Sequence, residues 1–159
     1  MTSPIPELKA EYAFTIRIKL TKAHHLKPNN QGATRIAVFV SEGVIEGPML
    51  QGKVMPMSGG DYPLARPNGV LDFDARYMLE LDDGTLVYLQ NRGFRWGSDE
   101  VMKKLAERQP VGFDEDYYMR VCPKFDVPAG PHDWLDRHIF VGIGEKSPEG
   151  NAIHYYKVL

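Results

Sequence analysis

The chain has 159 residues, one domain's length, with a single cysteine and a net charge of −2 spread over interspersed acids and bases. One cysteine excludes an internal disulfide, and the absence of a basic excess argues against a nucleic-acid surface. No apolar run approaches the roughly 20 residues that span a bilayer, and MTSPIPELKAEY lacks the basic and apolar regions of a secretory signal, so a cytoplasmic protein with 1–159 as one domain is expected.

Turn residues recur every eight to twelve positions, and the segments between them read as strands. Tyr12 to Leu20 alternates, with Tyr12, Phe14, Ile16, Ile18 and Leu20 on one side and Thr15, Arg17 and Lys19 on the other. Arg35 to Ser41 is a second strand, followed by turns or bulges at Gly43, Gly47 and Gly52. Val70 to Leu81 alternates again. Asp82-Asp83-Gly84 then turns the chain into a partner strand, Thr85 to Gln90. A short helix is predicted over Ser98–Arg108, capped by Ser98, with Asp99 and Glu100 in its first turn and Val101, Met102 and Leu105 as its apolar stripe. Tyr117 to Cys122, Ile139 to Ile143 and Ile153 to Leu159 supply the last strands. Many short strands and one helix predict a mainly β fold, a closed barrel or a sandwich.

The run SGGDYPLARPNGVLDFDARYMLELDDGTLVYLQNRG, from Ser58 to Gly93, resembles the core signature of the domain of unknown function 3237 family, also called uncharacterised protein family 0311. Gly47-Pro48 with Gly52, Met119 to Phe125, and Trp134-Leu135 to Phe140 resemble its flanking features. Tyr62 stands where tryptophan is common, Asn68 where aspartate is common and Asp136 where asparagine is common; these departures bear on the ligand rather than the fold. The resemblance implies an antiparallel β-barrel with a central cavity and implies little about a reaction.

Several residues could carry chemistry in such a cavity. Asp61 follows two glycines; it is either a turn cap or a proton-transfer group at the cavity mouth, with Tyr62 beside it. Asp72, Asp74 and Arg76 share one strand face, which is either solvated or turned to a ligand. Arg76 is the candidate anion clamp, since a guanidinium fork matches a carboxylate or enolate. Arg35 and Arg120 carry the same option against plain ion pairing, and Trp134 is core, cavity wall or both. Histidines 24, 25, 132, 138 and 154 lack metal-ligand spacing, Cys122 reads as a buried inert thiol, and no glycine-rich run opens a helix toward a phosphate. No metal or other cofactor is therefore expected.

Asp61 and Arg76 as catalytic groups, with Arg35, Tyr62, Asp72, Arg120 and Trp134 around the substrate, describe a cofactor-independent enzyme. It would act by proton transfer on a small organic acid, ketone or aromatic metabolite, as an isomerase, cyclase, hydratase or lyase. The alternative is a barrel that binds or carries a small molecule without turnover. Neither nucleic acid nor membrane is expected as a partner, and pairing into a homo-oligomer through exposed strand faces remains open.

Overall fold

The computed structural model describes residues 3–159. In chain order the elements are β1 (Ala10–Leu20), β2 (His24–His25), β3 (Thr34–Glu46), β4 (Gly52–Val54), β5 (Gly60–Asp61), β6 (Leu64–Ala65), β7 (Leu71–Leu81), β8 (Leu86–Gly97), α1 (Asp99–Ala106), β9 (Tyr117–Asp126), β10 (Phe140–Lys146) and β11 (Gly150–Val158). Pairing runs β1-β11-β10-β9-β8-β7-β4-β3, and a further β1–β3 ladder closes the ring into an eight-stranded antiparallel barrel. Closure leaves no long unpaired edge in the ring. The stave between β3 and β7 is interrupted, built in turn from β4, β5 and β6, each paired on both sides.

Alternation decides what faces inward. In β7 the inner face carries Phe73, Tyr77, Leu79 and Leu81, while Asp72, Asp74 and Arg76 face out. In β1 the expected single face is broken. The register with β11 shifts between Tyr12 and Phe14, so Tyr12 leaves the inner row and its hydroxyl meets Thr15 Oγ1 at 2.7 Å on the outside. Ser98 caps α1 as expected, its hydroxyl accepting from the Val101 amide at 3.3 Å. The helix stops at Ala106 rather than Arg108, which adopts a left-handed φ of 57°.

The barrel is filled at one end and hollow at the other. At the filled end Phe14, Phe125, Phe140 and Tyr155 pack with ring centroids 5.1–6.5 Å apart, beside Leu79 and Leu89. A 3-10 turn, Asp133–Leu135, closes this end with Trp134 against Phe140. Toward the other end the inward residues turn smaller or polar: Ala75, Asn91, Gly93 and Gly144 in place of large rings. That change opens the hollow, and α1 reaches its rim through Leu105.

The pair Gly59-Gly60 holds the interrupted stave in place. A Cβ on Gly59 would sit 1.9 Å from the Arg76 carbonyl oxygen, and one on Gly60 would sit 2.4 Å from that of Val38. The pair is therefore squeezed between β3 and β7 backbones, where side chains cannot enter. Gly59→Ala is expected to destabilise the barrel by about 2–3 kcal/mol. Thermal unfolding should show a drop of roughly 5–10 °C; an unchanged melting temperature would disprove the close packing described.

Candidate functional site

The hollow end is a cavity of about 320 Å³, at the small end of ligand pockets and more than twice the size of one known to hold benzene. Its wall is largely apolar, with Ile18, Ile36, Val38, Leu71 and Phe73. Seven polar residues interrupt it: His25 from β2, Asp61 from β5, Tyr77 from β7, Asn91 and Arg95 from β8, Lys146 from the end of β10 and Asn151 from β11. A second hollow of about 450 Å³ adjoins it, sharing Leu20, Ala23, Val38, Leu105 and Lys146, and forms a vestibule beneath the C-terminal end of α1.

Asp61 faces the cavity because β5 pairs Asp61 with Val38, itself an inner-wall residue. Its Oδ1 accepts the Asp74 amide at 3.1 Å. Burial pushes its carboxyl up to about 6. Hydrogen bonds from the Asp74 and Tyr62 backbones and the Arg35 charge pull the other way without cancelling it. Tyr77 is fully enclosed, and burial, with the nearby Asp61 charge, raises its hydroxyl well above the ordinary range.

The same cavity is lined by two cations. Arg95 Nε is buried without a hydrogen-bond partner. The Lys146 ammonium is pulled down to about 8, first by burial and then by the Arg95 charge. Among the described residues neither one forms an ion pair. Tyr77 and Asn91, at the base of the hollow, lie beside the enclosed Tyr155, and each tyrosine affects the other's ionisation. Neither hydroxyl, nor the Asn91 Oδ1, makes a well-formed hydrogen bond. Among the described residues there is no group of three or more His, Cys, Asp or Glu side chains that could hold a metal ion.

Of the candidate site residues only Asp61 lines the cavity, where His25, weighed from the sequence solely as a metal ligand, lies as well. Arg76 lies on the outer face of β7, its side chain 57% exposed, and pairs with Asp74 at 3.2 Å. The two therefore do not share a cavity, because Arg76 has the opposite parity to Tyr77 on one strand. Asp72 faces outward for the same reason and pairs with Arg66. Arg35 donates to the Tyr62 carbonyl at 2.7 Å on the surface, and Tyr62 is 59% exposed, edge-on to Phe39. Arg120 stacks its guanidinium over Tyr118, 5.0 Å from the ring centre, outside β9. Trp134 packs the filled end, beyond the cavity. Cys122 is exposed rather than buried, since it too has outward parity in β9. The polar lining residues that sequence reasoning missed are Tyr77, Asn91, Arg95, Lys146 and Asn151. A usable signal was present in β8, where Asn91 and Arg95 continue the inward parity of Val87 and Leu89.

A sequence model of the family described as "Protein of unknown function (DUF3237)" matches residues 8–158. A "UPF0311 protein" of Rhodopseudomonas palustris is 32% identical over 154 residues, covering 97% of this chain and 99% of that one. Among solved structures, a "beta-barrel like protein" from Acinetobacter baumannii superposes with a TM-score of 0.84 at 26% identity, covering 99% of this chain and 100% of that one. An enzyme from Penicillium herquei shares the fold alone, with a TM-score of 0.74 at 16% identity and full coverage of both chains.

Proposed function

Since the chain belongs to the DUF3237 (UPF0311) family, whose name assigns no reaction, we propose a function from the cavity itself: cofactor-independent proton transfer on a small carbonyl-bearing organic acid, ketone or aromatic compound. The observation that carries this reading is the placement of Asp61, a carboxyl raised by burial, in one apolar-walled cavity with the unpaired Arg95 and Lys146. A base whose pKa lies near the working pH is matched to its task.

The step balances without another reactant. Asp61 takes a proton from a carbon next to a carbonyl, and the bonding pair moves into an enolate whose charge rests on oxygen. Arg95 and Lys146 meet that charge, in an apolar-walled site where electrostatic stabilisation is strong. The protonated Asp61 then returns the proton to the same or a neighbouring carbon. Isomerisation and aldol-type cyclisation begin with such a step, and conjugate hydration and retro-aldol cleavage pass through the same enolate. The apolar wall equally suits the second reading, a carrier that binds without turnover.

Deuterium wash-in from solvent, followed by proton NMR on a panel of cyclic ketones and keto acids, separates these readings. Enzyme-dependent exchange should rise through about pH 6, as Asp61 ionises, and fall through about pH 8, as Lys146 loses its charge. Binding without exchange across the panel would favour the carrier, and exchange lacking the lower inflection would remove Asp61 as the base.

A further inference from the structure

Resting on the cavity as the ligand site, the count of its charges says more about what it holds. With Asp61 ionised and Arg95 and Lys146 both cationic, these three groups sum to one positive charge. A buried cation without a partner is unfavourable, and neither Arg95 nor Lys146 has a protein carboxylate beside it among the described residues. The Arg95 Nε is enclosed with its hydrogen-bonding capacity unused. The vestibule repeats the sign: Lys22, Arg108 and Lys146 line it against one acid, Glu149. Such an entrance favours the approach of anions.

We propose that the ligand is a ring-sized monocarboxylate whose carboxylate adjoins the reacting carbonyl, so that Arg95 and Lys146 hold the carboxylate and meet the enolate oxygen beside it, with the ring against Ile36, Val38 and Phe73. A guanidinium fork offers two parallel donors to the two carboxylate oxygens, and the ammonium adds a third. One negative charge neutralises the site, whereas a phosphate dianion would overshoot it. A cavity of about 320 Å³ takes one substituted ring, with Asp61 left free to face it.

Titration calorimetry with benzoate and its neutral isostere benzamide tests this on the whole protein. Benzoate should bind, and benzamide should bind at least about tenfold more weakly. Arg95→Gln and Lys146→Met should each weaken benzoate by roughly tenfold or more while remaining folded by melting temperature. Lys146→Arg and Arg95→Lys, which keep the charge, should weaken it less than the neutral variants. Asp61→Asn should bind benzoate at least as tightly as the parent, since a like charge is gone. This last arm separates the two ideas, because loss of Asp61 as the base leaves carboxylate binding intact. Equal binding of benzoate and benzamide, no binding of either, or undiminished benzoate affinity in the neutral variants would overturn the proposal.

Discussion

Asp61→Asn is expected to fold, to melt at a higher temperature than the parent at pH 7–8, and to lose roughly 10²–10⁴-fold in proton-transfer rate, the usual scale of a general acid–base group. The two effects share one cause. The carboxyl titrates at about 6 in the folded chain, against 3.8 as its ordinary value. The folded state therefore holds the proton more tightly than the unfolded state. Below about pH 4 both states are protonated and Asp61 has no net effect. Between about 4 and 6 the unfolded chain ionises first, so stability falls as pH rises, and above about 6 the full loss is present. At about 1.4 kcal/mol per pH unit the ceiling is about 3 kcal/mol. Partial access to water brings the expected gain on removing the charge to about 1–2 kcal/mol.

The amide oxygen of asparagine can still accept the Asp74 amide, so the backbone contact survives. A role confined to capping a turn leads elsewhere: the variant would melt no higher, and turnover per folded molecule would stay near that of the parent. Melting curves at pH 4.5 and 7.5 together with exchange rates decide between them. A variant that melts lower at both pH values, with its rate intact, would remove Asp61 from the mechanism.

At the filled end, Phe140→Ala should cost about 3–5 kcal/mol and lower the melting temperature by roughly 10–15 °C. Phe140 has no exposure and touches three rings, with centroids 5.4 Å from Phe125, 5.9 Å from Trp134 and 6.2 Å from Phe14. Those neighbours sit on two other strands and the closing turn, so no one of them can move into the vacated volume without unpairing a ladder. The cost should lie near the upper part of the range for that reason. Calorimetry or thermal circular dichroism measures it, and a loss under about 1 kcal/mol would mean that this end is not the packed base of the barrel.

Alternation made the walls legible in the sequence. Phe14, Ile16 and Ile18 in β1 and Phe73, Tyr77, Leu79 and Leu81 in β7 face inward as their spacing predicts. The chemistry was largely illegible, for two physical reasons. One is parity. The regular Asp72, Asp74 and Arg76 row is the solvated outside of β7, and the polar groups that face the ligand lie on the apolar side, where Tyr77 reads as core. The other is glycine. Read from sequence, β8 ends at Gln90 and β10 at Ile143, which leaves Asn91, Arg95 and Lys146 outside any strand. Both strands in fact run on through a glycine. A Cβ at Gly93 would meet the Arg120 carbonyl oxygen at 2.1 Å, and one at Gly144 would meet the Met119 sulfur at 2.5 Å. These glycines let neighbours close on the strand rather than end it. Asp61 was found because the glycine pair before it lies inside a recognisable motif, although that pair serves packing between β3 and β7.

The interrupted stave makes one side of the barrel a seam. Next to it, β7 and β8 share ten consecutive registered pairs. Here β5 holds Asp61 through two pairs to β3 and one to β7. Local opening needs only the contacts it breaks, so parting β5 from its neighbours is expected to take less free energy than separating β7 from β8. The wall bearing the acid is then the part of the cavity that can breathe, yielding to a bulky ring while the cationic wall on β8 and β10 stays fixed. Selection by size and selection by charge are thereby assigned to different walls of the same hollow.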